Sequence, residues 1–283
     1  MRLAFFLPAV ALVLGGCATT VEGGPDSEVT QVHAFLRVDQ AAEAAGATRT
    51  HASASFLRVH EGGDPGVVAR LVGAAPTLPP EGGCARLDGD GVGVPLRAIS
   101  PVELVQVDGV TLTTDSGRTQ LSARAYPDVA HLLSGVVYTS PDAEGSTRNG
   151  KVAFHVAGGA EVPNLDVTLD APPPLAGVRI NGVELGGAAM PGPITPLHVT
   201  WSGDRAGDVV YADFAIAGAS QRFRCTADAT SLVGPAIATA AGTRITVSVH
   251  RLRVVPFAAG SLGSAEARFD AAITGMIAFD EPG

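Results

Sequence analysis

Aromatic residues are scarce in this chain, at 5%, with one Trp and three Tyr among 283 residues. A carbohydrate-binding surface displays several aromatic rings together, so that function class is not expected. Lysine is confined to Lys151, every other basic residue is arginine, and the formal net charge is −9. A chain this acidic does not offer a general nucleic-acid surface. The seven histidines include no pair at HxH or HxxxH spacing, so no zinc signature is present. The stretch GASQR, residues 218–222, lacks the closing glycine of a nucleophile elbow. Asp88 and Asp90 followed by Gly91 suggest a calcium loop, but the twelfth position, where a bidentate Glu is needed, is Ile99. A turn rich in Asp and Gly explains that stretch equally well. The expectation is therefore no metal and no cofactor. Hydrophobic residues still reach 46%, too many for a disordered chain.

A long membrane-spanning run is also missing. The apolar stretch from Leu3 to Leu14 follows Arg2 and covers about a dozen residues, where a spanning helix needs roughly 20. A basic start, a short apolar core and small residues at its end are the layout of a secretory signal. Leu14-Gly15-Gly16-Cys17 then resembles the lipobox of bacterial lipoproteins. That resemblance implies removal of residues 1–16 and acylation of Cys17, an anchor of several chains that holds durably. Ala18 stands where an aspartate would retain such a protein in the inner membrane, which by the same resemblance implies the outer membrane, with the domains facing either side. Residues 17–50 read as the lipidated end and a tether, although VTQVHAFLRV suits a strand and DQAAEAAG a short helix ended by Gly46.

The rest alternates strand-like runs with Gly/Pro/Asp clusters. Examples are His51–His60, Val110–Thr114, Lys151–Ala157, Leu165–Leu169, Val209–Ile216, Arg244–Val255 and Ala265–Phe279. In LHVTW, Leu197, Val199 and Trp201 share one face; in QRFRCTA, Phe223, Cys225 and Ala227 do. One buried and one wet face is the habit of antiparallel sheets. The expected fold is all-β, built as two antiparallel sandwich modules of immunoglobulin-like type. The three prolines of DAPPPLAG interrupt any central strand, which places module one at 51–169, a linker at 170–177 and module two at 178–283. A single all-β domain of this length is the alternative. GVTLT at 109–113, FHVAGGAEVPNLDVTLDAP at 154–172, LHVTWSG at 197–203 and RFRCTAD at 222–228 resemble a pattern in uncharacterised all-β lipoproteins of soil-dwelling, GC-rich Gram-negative bacteria. The resemblance implies an envelope location and β architecture, and no activity.

With Cys17 acylated, Cys84 and Cys225 remain. Export to an oxidising compartment allows a bridge between them, and two separate buried thiols are the alternative. Arg222 with Arg224, and Arg251 with Arg253, each project from one strand face. Side by side they would form an anion or lipid-headgroup site; apart, they are solvated pairs. Asp208 and Asp213 differ by an odd count and fall on opposite faces, which disfavours an acid/base pair. The expected function is a structural or binding role at the envelope, with an envelope protein as partner and no catalytic residues. A hydrolase whose residues meet only in space is the alternative.

Overall fold

The computed structural model describes residues 31–44, 48–60, 63–88, 102–129, 133–144, 150–187, 196–203, 207–228, 230–236 and 242–279. The signal segment, Cys17, residues 18–30, Asp90 and His131 lie outside the described residues. Among the described residues the fold is all-β with one short helix. Its first strands are β1 (Gln31–Glu43) and β2 (Thr48–Val59), followed by the helix α1 (Pro65–Leu71) and β3 (Cys84–Arg86). Then come β4 (Val102–Leu104), β5 (Gly109–Thr114), β6 (Gly117–Gln120), β7 (Ser122–Val129), β8 (Leu133–Thr139), β9 (Ala143–Glu144), β10 (Lys151–Ala157) and β11 (Leu165–Asp170). After the prolines come β12 (Ala176–Ile180), β13 (Val183–Glu184), β14 (His198–Ser202), β15 (Val209–Ile216), β16 (Arg222–Thr226) and β17 (Ser231–Val233). Two long strands, β18 (Arg244–Pro256) and β19 (Ala265–Ala278), finish the chain.

These strands form one large sheet and two small ones. The large sheet runs β3-β16-β15-β18-β19-β1-β2-β4-β8-β7. One small sheet, β11-β10-β5-β6, covers the half of the large sheet around β1 and β2. The other, β13-β12-β14-β17, covers the half around β15 and β18. Each small sheet closes its own apolar core. Phe56, Phe154, Leu36 and Phe269 belong to the first, and Phe214, Ile180, Val199 and Val247 to the second. A third, smaller core lies on the opposite face of the large sheet, where Val68 and Ala69 of α1 meet Phe35, Leu57 and Leu104.

Within the expected linker at 170–177 Ala171 belongs to the first core and Leu175 to the second, and the chain later returns to the first core through Ala265, Ala267 and Phe269. The expected independence of two immunoglobulin-like modules is corrected: both cores rest on the same large sheet. The physical reason is strand length. At roughly 3.3 Å per residue, the 14 residues of β19 span about 45 Å, enough to underlie two cores. Ala265, Ala267 and Phe269 accordingly face the first core, and Ile277 faces the second.

The expected tether over 17–50 is corrected as well, because Gln31–Glu43 is a central strand. β1 pairs antiparallel with β2 and parallel with β19 through Ala41 and Ala42. Pairing on both edges holds the Ala-rich end extended, which overrides its helical propensity. The helix lies instead at Pro65–Leu71. Asp64 caps it by accepting from the Gly66 and Val67 amides, and Pro65 occupies the first turn. The hairpin turn between β12 and β13 is Asn181-Gly182, both at positive φ.

Cys84 and Cys225 form a disulfide across the β3–β16 pair, closing a sequence separation of 141 residues. Replacing both by serine is expected to lower the unfolding free energy by roughly 2–5 kcal/mol in guanidinium titrations. The parallel β4–β8 pair brings backbones close at Gly135, where φ is 124° and an added Cβ would sit 2.1 Å from the Leu104 carbonyl oxygen. Gly135→Ala is expected to cost at least ~2 kcal/mol in urea unfolding; an unchanged midpoint would count against this packing.

Candidate functional site

The face of the large sheet turned away from the two main cores carries a polar cluster. Strand alternation brings it together. On β15, Val210, Ala212 and Phe214 enter the core, which turns Tyr211 and Asp213 the other way. The same alternation turns out Arg224 on β16, His250 on β18, Asp270 on β19, and Arg37 and Asp39 on β1. Register places them in a row: Asp213 opposite Arg224, Tyr211 opposite His250, and Asp39 opposite Asp270. The segment from α1 to β3 passes over this row and leaves a cleft of about 360 Å³.

Asp270 is the centre of the cluster and is only 3% exposed. Its Oδ2 accepts from the Tyr211 hydroxyl at 2.5 Å, and its Oδ1 lies 3.0 Å from His250 Nδ1. Facing a carboxylate, that ring nitrogen carries the proton. Arg37 Nη2 is 3.7 Å from the same carboxylate. Burial alone would raise the Asp270 pKa, but the His250 and Tyr211 hydrogen bonds and the Arg37 charge outweigh it and hold it below its ordinary value. Burial, with Asp270 alongside, pushes the Tyr211 hydroxyl far up, so it remains a donor. Tyr211 stacks on His250 with ring centres 4.3 Å apart, and the Arg224 guanidinium lies 4.8 Å from its centre.

Two arginines fasten the covering segment to the sheet. Arg37 donates Nε to Asp39 at 2.7 Å and Nη1 to the Gly73 carbonyl at 2.8 Å. Arg224 grips Asp213 with two bonds of 2.7 Å and reaches the Thr77 carbonyl at 3.3 Å. Thr226 adds a bond to the Pro79 carbonyl. Burial would lower both guanidinium pKa values, yet Asp39 and Asp213 keep them above the ordinary value. Asp39 itself is pushed up by burial despite Arg37.

The four arginines expected at one anion site are split, and that expectation is corrected. Arg224 faces the cleft, and Arg222 on the same strand is exposed. Arg251 and Arg253 point through the opposite face of the sheet. Arg251, 1% exposed, donates to the Pro173 carbonyl at 2.8 Å and lies 3.8 Å from Asp208. Arg253 binds both Asp208 oxygens, at 2.8 and 3.1 Å, and the Asp170 carbonyl at 3.0 Å. These two therefore clamp the proline segment at the seam between the cores. The cause is the twofold period of a strand: residues 251 and 253 share a face with Val249, while residue 250 takes the other. Asp208 and Asp213 do lie on opposite faces. Asp88, half of the calcium reading, pairs with Arg86 at 2.8 Å. Buried His33 accepts from the Ser264 amide through Nδ1, and burial lowers its pKa.

The Asp270–His250 pair resembles the base half of a hydrolytic triad. The other ring nitrogen, Nε2, faces the Asp213 carboxylate at 4.0 Å, and the nearby Ser248 hydroxyl is bonded to Thr274. The arrangement is thus a chain of alternating charges with no hydroxyl or thiol bonded to His250 among the described residues. No protein-family model matches the chain, and no curated protein is similar to it.

Sequence reasoning placed Arg224 in a functional group and missed Asp270, Tyr211 and His250 as a unit. The available signal was alternation itself, since Tyr211, His250 and Asp270 each stand between core residues (Val210 and Ala212, Val249, Phe269 and Ala271) and so share the opposite face.

Because the Asp270 pKa is held down, its charge stabilises the fold at neutral pH, and that contribution disappears as the pH falls below about 3.8, its ordinary value. Asp39 has the opposite sign: its raised pKa means its charge costs stability at neutral pH. Asp270→Ala is expected to lose roughly 3–5 kcal/mol in urea unfolding at neutral pH. The gap to the wild type should shrink in strongly acidic buffer, and a gap that stays constant would refute the linkage.

Proposed function

We propose that this chain is a lipid-anchored protein of the bacterial outer membrane, held through Cys17, with a structural or binding role in the envelope. The observation that carries the reading is Leu14-Gly15-Gly16-Cys17 directly after a short apolar segment with a basic start. The Cys84–Cys225 bridge supports it, since disulfides persist in oxidising compartments outside the cytoplasm. The short run from Cys17 to the first residue of β1 reaches at most about 45 Å, so the body stays near the membrane surface.

The cleft over Asp270 is the binding surface in this reading. It is lined by Arg37, Asp39, Tyr211, Arg224 and His250 from the strands and by Arg70 from α1. Binding is favoured over hydrolysis because His250 Nε2 faces Asp213, where a nucleophile would be needed. An envelope protein is the natural macromolecular partner.

Cys17→Ala is expected to abolish incorporation of labelled palmitate and to release the protein from the membrane fraction. A variant that stayed membrane-bound and acyl-labelled would refute the anchor.

A further inference from the structure

The cleft has open ends of both signs. Arg37 and Arg224 are spent on carboxylates and on the carbonyls of the covering segment. Arg70, in the last turn of α1, also lines the cleft, and among the described residues its guanidinium makes no hydrogen bond or ion pair. Asp39 is the mirror case. Arg37 Nε and Nη2 both reach its Oδ1, at 2.7 and 2.6 Å, and no hydrogen bond among the described residues reaches its Oδ2. His250 Nε2 also has no hydrogen bond among the described residues, with Asp213 at 4.0 Å.

Charge balance selects the ligand. Arg37, Arg70 and Arg224 stand against Asp39, Asp270 and the Asp213 behind Arg224, so the cluster is neutral apart from the histidines His250 and His51, the latter opposite Asp39 on β2. A simple anion or cation would leave one uncompensated charge in a half-enclosed site, and a neutral sugar would leave both open groups unmatched. A sugar also has no ring to stack on, because Tyr211 lies between His250 and Arg224. We propose that the cleft binds a small zwitterion of the α-amino-acid type, its carboxylate on the Arg70 fork and its ammonium on Asp39 Oδ2. Both contacts are charge-assisted hydrogen bonds, and the guanidinium fork matches a carboxylate in geometry. Asp39 is pushed up by burial, the state of a carboxylate whose charge its neighbours have not fully matched, and an ammonium group completes the match.

This inference rests on the cleft being the binding surface proposed above, and its test separates the two. Full-length protein in detergent is titrated calorimetrically with L-alanine, L-alaninamide, N-acetyl-L-alanine and acetate. L-Alanine is expected to bind saturably at millimolar concentration, and the amide and the N-acetyl derivative, each lacking one charge, about tenfold more weakly or worse. Arg70→Met should weaken L-alanine about tenfold, leave the amide unchanged and preserve the melting temperature. Equal binding of L-alanine and either derivative, or tighter binding of acetate, overturns the zwitterion and keeps the cleft as a binding site. No saturable binding of any of the four probes overturns the zwitterion alone, because the envelope protein proposed as partner is not among the probes, and the lipid anchor is judged separately by acyl labelling.

Discussion

The β18–β19 hairpin belongs to two cores at once, and the rest of the molecule is arranged around that constraint. Its strands run 13 and 14 residues, long enough for one end to pack against the first small sheet and the other against the second. β1 adds to it in parallel, so the first and last strands of the described body are neighbours. Parallel pairing of such distant segments is costly in loop closure and is made only when both strands are deeply buried. That burial is visible on both sides of β1, where Leu36 and Val38 enter one core and Phe35 another.

A sheet with cores on one face has a second face to manage. Half of it is covered by α1 and its apolar contacts. The other half is covered by the chain between α1 and β3, of which Ala74 and Ala75 are the buried apolar side chains. Arginines do the fastening there: Arg37 and Arg224 each hold a carboxylate of the sheet and a carbonyl of the covering segment. The disulfide secures the same segment at its far end, where β3 pairs with β16. The cleft exists because this cover is tied at points and not packed throughout, which leaves room for polar groups beneath it. The opposite seam uses the same chemistry, since Arg251 and Arg253, with Asp208, hold the carbonyls of Asp170 and Pro173.

Strand identity was largely legible in the residues. Lys151–Ala157 and Val209–Ile216 are strands with the bounds their alternation implied. The failures have specific causes. The Ala-rich end of β1 looked like helix or tether because its extended form is imposed by pairing with β2 on one edge and the distant β19 on the other, and not by its own residues. The helix at Pro65–Leu71 was announced by Asp64-Pro65, a cap and first-turn signal, but seven residues are too few to show an apolar period. The arginine pairs were read correctly as pairs on one strand face, yet nothing local states which face is which.

By itself the sequence determined the all-β class, which residues of a strand share a face, and the residues around Cys17 that resemble a lipobox. These are local properties, set by a period of two and by short motifs. Only the tertiary structure decided that two cores share one sheet, that Cys84 meets Cys225, and that Tyr211, His250 and Asp270 converge while Arg251 and Arg253 face away. Register and strand order decide such things, and they arise from pairings between segments that are tens to more than two hundred residues apart, about which no single segment carries information.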